Sequence, residues 1–373
     1  MVVVGAGAFG GWTALSLLRA GMHVTLVDAW GPGNSRASSG GETRVWRTGY
    51  GAMATYTELA ATALRLWLLE ERRWNRKIFF PTGLVWMFGG GDEYIRSSIA
   101  PIRAHGFDVE ELSLAQASRR YPQLGLDGVQ TIFVEPHAGF LAARASCELV
   151  RESFVAEGGE YRQGRVAPPG ERGTSLHRIS LSDGSTLSAD QFVFACGPWM
   201  GEMFPDAIGR RIIATRQEVF FFGTPAGDTR YDAGALPVWA YMSDGLVYGV
   251  PSHEGRGVKI ADDRQGPEID PTSLERVPSE AGVANARRIL RERLPGLGDA
   301  PLVDARVCQY EASSDGHYVI DLHPRLENVW LVGGGSGHGF KVGPAIGEHV
   351  AGLIQGRASV NAMFAHARLQ PTP

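Results

Sequence analysis

Two glycine-rich runs carry most of the chemistry that can be read from this chain. The first, Gly5-Ala6-Gly7-Ala8-Phe9-Gly10, follows the β-branched run Val2–Val4 and precedes Ala14, Leu17 and Leu18 at helical spacing, with Gly21 as a stop. His23 to Asp28 then reads as a second strand that closes on an acid. Strand, G-x-G-x-x-G, helix, strand, acid is the grammar of a dinucleotide site. Gly5 permits the tight turn, Gly7 lets backbone approach a pyrophosphate, and Gly10 lets helix and strand pack closely. Free N–H groups and the helix dipole favour the phosphate charge, and Asp28 is placed to accept from a ribose. This fingerprint leaves FAD and NAD(P) both open. The second run, Gly333-Gly-Gly-Ser-Gly337-His-Gly339-Phe-Lys341, leads into a helix with Pro344 near its start and Ile346, Val350, Leu353 and Ile354 on one face. A helix N-terminus aimed at a ligand stabilises negative charge there, such as that on the N1–C2 edge of a reduced flavin.

Cys147, Cys196 and Cys308 are odd in number, far apart and without a C-x-x-C pair. Zinc knuckles and redox dithiols have no support, no metal is expected, and a reducing cytoplasm is the natural compartment.

The elements that position these groups follow from periodicity. Leu59, Ala63, Leu66 and Trp67 outline an amphipathic helix, and Glu70-Glu-Arg-Arg73 after it reads as a solvated face. Asp183-Gly184 between alternating segments predicts a hairpin, and residues 191–195 an apolar strand stopped by Gly197-Pro198. Arg216–Phe222 and Leu246–Val250 read as a strand pair, and residues 267–296 as polar, then helical. Nucleotide signals at both ends and a strand-rich middle predict an α/β (α+β) chain. A Rossmann-like cofactor domain would draw on residues 1–80, 140–212 and 305–373, and a mostly antiparallel β substrate domain on 81–139 and 213–304.

The composition is that of an ordinary globular chain. Of 373 residues, 44% are hydrophobic, and 36 basic against 40 acidic side chains give a net charge of −4. That balance offers no electrostatic case for a nucleic-acid or membrane partner. The uncharged stretch from Met1 to Leu18 lacks the basic start of a signal sequence, and its glycines fit a turn better than a membrane span. A small molecule is the expected partner.

Six motifs, the glycine fingerprint among them, in order over more than three hundred residues, make the chain resemble the monomeric sarcosine oxidase and N-methyltryptophan oxidase family. These are flavin-dependent amine oxidases of the D-amino-acid-oxidase fold. Besides the Gly5–Gly10 and Asp28 fingerprint, the resemblance rests on Ser38-Ser-Gly-Gly-Glu-Thr43-Arg44-Val-Trp-Arg47 and Ala195-Cys-Gly-Pro-Trp199. It continues in Tyr248-Gly-Val-Pro-Ser252 to Gly257-Val-Lys259, in Cys308-Gln-Tyr310 to Pro324, and in Ser336-Gly337-His-Gly339-Phe-Lys341.

The resemblance implies FAD, held by Gly5, Gly7, Gly10, Asp28, Ser38, Thr43, Arg44, Gly337, Gly339 and Lys341 and bonded through Cys308 to the flavin 8α-methyl group. Thiolate addition to an electrophilic flavin is sensible chemistry for such a cysteine. Lys259 matches the oxygen-activating lysine, Arg47 and Lys341 the pair that holds a substrate carboxylate, Arg44 an arginine against the flavin and Tyr248 an active-site tyrosine. Without the resemblance, Lys259 reads as a surface lysine, Cys308 as a small buried hydrophobe, and the others as pairing or packing groups. The implied reaction oxidises a secondary or cyclic amino acid to an imine while O₂ becomes H₂O₂. A flavin dehydrogenase using another acceptor is the alternative, and the relatives are often monomers, so a monomer or weak oligomer is expected. Two positions depart from the family pattern: Gly40 and Asp263 stand where histidines are usual. Asp263 is expected to meet a positive or donor group of the substrate and to make sarcosine a poor one. Trp239 and Tyr241 are expected to add an aromatic wall. No side chain stands out as a general base, so activity is expected to rise toward alkaline pH.

Overall fold

The computed structural model describes residues 1–171 and 173–369; the end of the expected cofactor segment, 370–373, and residue 172 lie outside the described residues. Among the described residues the main strands form two large sheets. The first runs Val319–Leu322, Val329–Gly333, Phe192–Phe194, Val2–Val4, Thr25–Asp28, Glu160–Gln163, parallel throughout except for the Val319–Leu322 edge. Apart from the polar, exposed edge Glu160–Gln163, its strands are short and largely apolar because helices cover them, as parallel sheets require. Ala8–Arg19 and Gly343–Ile354 pack together on one face, so the two glycine-rich runs lie side by side at the carboxyl ends of Val2–Val4 and Val329–Gly333, the two strands that flank Phe192–Phe194. That end of an open α/β sheet is where ligands bind.

The second sheet has eight strands in the order Leu302–Ser313, Ile212–Phe222, Val258–Asp262, Leu246–Val250, Val238–Met242, Leu84–Phe88, Thr131–Glu135, Glu110–Leu112. It is antiparallel apart from the pairing of Val238–Met242 with Leu84–Phe88. A three-stranded piece, Thr43–Trp46, Gly139–Ala142 and Phe79–Phe80, lies beside it. The α/β expectation, a Rossmann-like layer with a mostly antiparallel partner, is the fold observed.

Alternation along the second sheet decides which residues meet a ligand, because successive side chains face opposite ways. Trp239, Val85, Met87, Phe220, Ile260 and the helix Glu280–Arg293 form one closed core behind the sheet. Val238, Ala240, Leu84 and Trp86 face forward into a cavity. Trp239 and Tyr241 therefore point away from the cavity, and Tyr241 stacks under Arg293, 3.7 Å from the ring centre. The expected aromatic wall from this pair is corrected: the odd positions of that strand belong to the rear core.

Two other readings change. Arg216–Phe222 and Leu246–Val250 are both strands but not partners, since Val258–Asp262 lies hydrogen-bonded between them. Glu70 is not solvated; at 2% exposure it bridges Arg19 at 2.8 Å and Arg73, while Glu71 accepts from Ile78 and Phe79 N–H. The charged run closes the end of the helix Ala54–Trp74 on the next strand, which its sequence does not reveal. Finally, the expected boundary at 304/305 cuts through Leu302–Ser313, which pairs with Ile212–Phe222 along its length. We propose placing that boundary after Ser313. The Asp183-Gly184 hairpin joins Arg178–Ser180 to Thr186–Ser188, with Gly184 at φ +84°.

Candidate active site

The nucleotide cleft is built from the first glycine run. Gly5 has φ +105°, and a Cβ there would lie 2.2 Å from the Ala195 carbonyl oxygen; a Cβ on Gly10 would lie 1.9 Å from the Gly5 oxygen. Only glycine permits this turn to pass between two strands and under its own helix. Asp28 lines the cleft, and its carboxylate accepts from Ala6 N–H at 2.7 Å, Trp30 N–H at 2.9 Å and Gly31 N–H at 2.7 Å. Its first duty is to hold the glycine turn against the next loop. Burial raises its pKa, opposed by these three N–H groups.

From Asp28 and Trp30 the cleft passes Gly7, Ser38 and Cys196 to Gly335, Gly337 and Phe340. Arg44, Tyr310, Gly337 and Phe340 border both this cleft and a second chamber, so the two are continuous. Ser38 Oγ and Glu311 Oε2 are buried on the cleft wall without a protein partner. Burial pushes the Glu311 carboxyl up to about 7, despite the Gly335 and Gly334 N–H groups. Unmet polar atoms along a glycine-lined trough are what a dinucleotide would satisfy, and the donor set fits one.

The second chamber gathers residues distant in sequence. Arg47, Tyr248, Lys259, Asp263, Cys308 and Lys341 all line it, with Arg44 and Gly337 at the junction. Arg47 is positioned by the loop after Thr43–Trp46, which is fixed from below by buried Glu135. That carboxylate accepts from Thr48 N–H at 2.8 Å, Thr48 Oγ1 at 2.6 Å, Gly49 N–H at 3.2 Å and Trp86 Nε1 at 2.8 Å. The guanidinium donates to the Gly49 carbonyl and to Tyr94 Oη at 3.0 Å, and lies over the Tyr50 ring. Lys341, 4% exposed, donates to Tyr50 Oη at 2.6 Å and to the His338 carbonyl at 2.9 Å, while its own carbonyl accepts from Trp67 Nε1 at 2.8 Å. Burial, then the charge of Arg47, holds its pKa well below the usual lysine range.

Lys259 is 3% exposed and donates to the Thr43 carbonyl at 3.1 Å, with the Tyr248 ring centre 5.4 Å from Nζ. Desolvation, with Arg44 next, lowers its pKa from 10.5 to about 7. Thr43 thus serves the site through its carbonyl; its Oγ1 is buried without a partner. Arg44 donates to the carbonyls of Thr43, Ser38 and Gly40 and lies 3.7 Å from Cys308 Sγ. Gly40, the first departure, has no room for any side chain, since a Cβ would fall 2.2 Å from the Asn34 oxygen. Its carbonyl instead completes the Arg44 cradle. Burial pushes the Cys147 thiol up to about 12 and raises that of Cys196 further, so neither is a reactive thiol.

Several residues here were not anticipated. Tyr310 is two positions beyond Cys308 on one strand and so shares its face, a signal that alternation carries. Glu135, Tyr50 and Tyr94 hold the two cations, and nothing local in sequence announces them. Among the described residues there is no cluster of three metal-ligating groups and no helix long and apolar enough to cross a membrane.

A dinucleotide trough that runs into a chamber with buried cations is the architecture of a nucleotide-dependent oxidoreductase. A family model described as FAD dependent oxidoreductase matches residues 1–353, and the chain belongs to that family. Its cofactor is FAD. The chain is 31% identical to a monomeric sarcosine oxidase from Bacillus sp. (strain NS-129), covering 95% of this chain and 92% of that one. It is 25% identical to an N-methyl-L-tryptophan oxidase from Yersinia pestis (strain Pestoides F), with 96% and 95% covered. Among solved structures, L-proline dehydrogenase from P. horikoshii superposes with TM-score 0.85 at 18% identity, over 98% of this chain and 96% of that one. A modified fructosyl peptide oxidase from Aspergillus nidulans gives 0.85 at 20%, over 98% and 92%. These likenesses extend the fold.

Proposed function

We propose that this protein oxidises a small amino acid bearing a secondary or cyclic amine, giving an imine and converting O₂ to H₂O₂. The observation that carries the reading is the convergence of Arg47, Lys341, Lys259 and Cys308 on one chamber continuous with the nucleotide cleft. Bound FAD would supply the two-electron acceptor for C–N oxidation and, afterwards, the electrons that reduce O₂. The protein's part is positional and electrostatic. Arg47 offers a planar fork and Lys341 a point charge to the substrate carboxylate, which orders the α-carbon and amine in the chamber. Tyr248, Trp86, Phe221 and Phe340 enclose the remainder and exclude water. Lys259 supplies a positive charge where O₂ acquires a negative one. Arg44 holds a fixed cation against Cys308, the residue we propose as the covalent anchor.

The test is peroxide release in aerated buffer across a panel of N-methyl and cyclic amino acids. One peroxide per imine supports the oxidase. Turnover with a quinone acceptor and no peroxide would instead make the protein a dehydrogenase.

A further inference from the structure

Among the described residues two acids line the substrate chamber, and they are held differently. Glu42 is near Arg306, Arg256 and Arg144 at 3.4, 3.7 and 3.9 Å. Asp263, just beyond Val258–Asp262, forms no ion pair. Among the described residues its one side-chain hydrogen bond comes from Tyr310 Oη to Oδ1 at 2.7 Å, so Oδ2 has no hydrogen-bond partner there, and the residue lines the chamber. The groups that face it are Tyr310 from Leu302–Ser313, Tyr248 from Leu246–Val250, Lys259 and Asp262 from its own strand, Tyr94 from the helix Glu93–Ala104, and Arg47 and Lys341. Arg47 and Lys341 act on Asp263 through space without closing on it. Both signs of charge are thus present, held apart, in one cavity. Left alone, a carboxylate and two cations so placed would gain by pairing. Their anchors prevent it: Tyr310 for the acid, Tyr50 and the His338 carbonyl for Lys341, Gly49 and Tyr94 for Arg47.

We infer that Asp263 receives the ammonium group of a zwitterionic amino acid whose carboxylate lies on Arg47 and Lys341, and that Asp263 Oδ2 takes the ammonium proton. This rests on the carboxylate clamp proposed above. An N–H bond of the ammonium breaks and its proton passes to Asp263, leaving a neutral amine with a free lone pair. Loss of a hydride from the α-carbon, for which bound FAD would be the two-electron acceptor, would then let the lone pair complete the C=N bond of an iminium ion. The charge balances, since one proton and one hydride leave a cation and yield a cation. Protonated Asp263 remains hydrogen-bonded to Tyr310 until it returns its proton to solvent. The donor group foreseen for Asp263 is then the substrate's own amine.

Two isosteric acids without an α-hydrogen test this on the flavin-loaded enzyme: 2-aminoisobutyrate, which carries the ammonium, and pivalate, which has a methyl group in its place. Dissociation constants come from the change in flavin absorbance. Wild type should bind 2-aminoisobutyrate at least tenfold more tightly than pivalate near neutral pH. Asp263→Asn keeps an acceptor for Tyr310 and should erase that ratio. In kcat/KM, wild type should show an acid limb set by Asp263, whereas the variant should climb with pH along the free amine's own ionisation. Equal binding of the two ligands by wild type, or a ratio that survives in Asp263→Asn, overturns the ammonium role alone. If neither acid perturbs the flavin, the carboxylate clamp fails and the inference goes with it. Should the variant not fold, the wild-type ratio alone decides.

Discussion

Replacing Lys259 by Met should make the protein more stable and a poorer oxidase at once. Burial lowers the Lys259 pKa from 10.5 to about 7, which corresponds to about 5 kcal/mol in favour of the neutral amine. The unfolded chain keeps that proton up to about pH 10.5 and the folded chain releases it near 7. The unfolded state therefore binds more protons across that window, and wild-type stability should rise with pH through it. Met fills a similar volume, has no charge to desolvate, and forfeits one hydrogen bond to the Thr43 carbonyl, worth about 1 kcal/mol. A net gain of about 3 kcal/mol is expected at pH 7, several degrees in Tm, with the pH slope flattened. The oxidative half-reaction should suffer. A unit charge about 4 Å from nascent superoxide, in an effective dielectric of about 20, contributes about 4 kcal/mol, or about a thousandfold in rate. Anaerobic reduction followed by rapid mixing with O₂ measures this, while reduction by substrate should change little. In wild type, reoxidation should slow as pH rises past the lysine's ionisation. A variant that melts lower than wild type, or one reoxidised within threefold of it, would refute the reasoning.

Other substitutions read other parts of the site. Wild type should keep its yellow colour through acid precipitation, and Cys308→Ser should lose it while still binding FAD reversibly in the Gly5–Gly10 cleft. Arg47→Lys removes the fork and should raise KM for a carboxylate substrate about 10- to 100-fold, as steady-state kinetics would show. Gly5→Ala forces a Cβ to within 2.2 Å of the Ala195 oxygen and should abolish flavin content in the purified protein. Glu70→Gln breaks a charge shared by Arg19 and Arg73; with those arginines partly solvated, a loss of about 1–2 kcal/mol in urea unfolding is expected.

What the sequence disclosed follows from how local each signal is. The glycine turn, the helix after it and the acid at Asp28 are fixed by backbone needs within thirty residues, and all three are where the pattern puts them. Period-two alternation should have assigned Trp239 to the rear core and Tyr310 to the front, because Val238 and Cys308 share strands with them. The aromatic character of Trp239 and Tyr241 outweighed that register and misled. Glu70 could not be read at all, since its partner Arg19 is 51 residues away on a neighbouring helix. The same holds for Glu135, 87 residues from the Thr48 N–H it accepts from. Chamber residues were legible only as motifs, because what joins Arg47, Lys259 and Lys341 is the crossing of two sheets.

Cys308 belongs to a strand of the eight-stranded sheet, whereas the dinucleotide trough belongs to the six-stranded one. A cofactor bonded at that sulfur and seated in that trough would act as a rivet between the two halves of the molecule. Breathing of one layer against the other would then be damped in the loaded enzyme, and amide exchange along the Cys308 strand should quicken when the flavin is withheld.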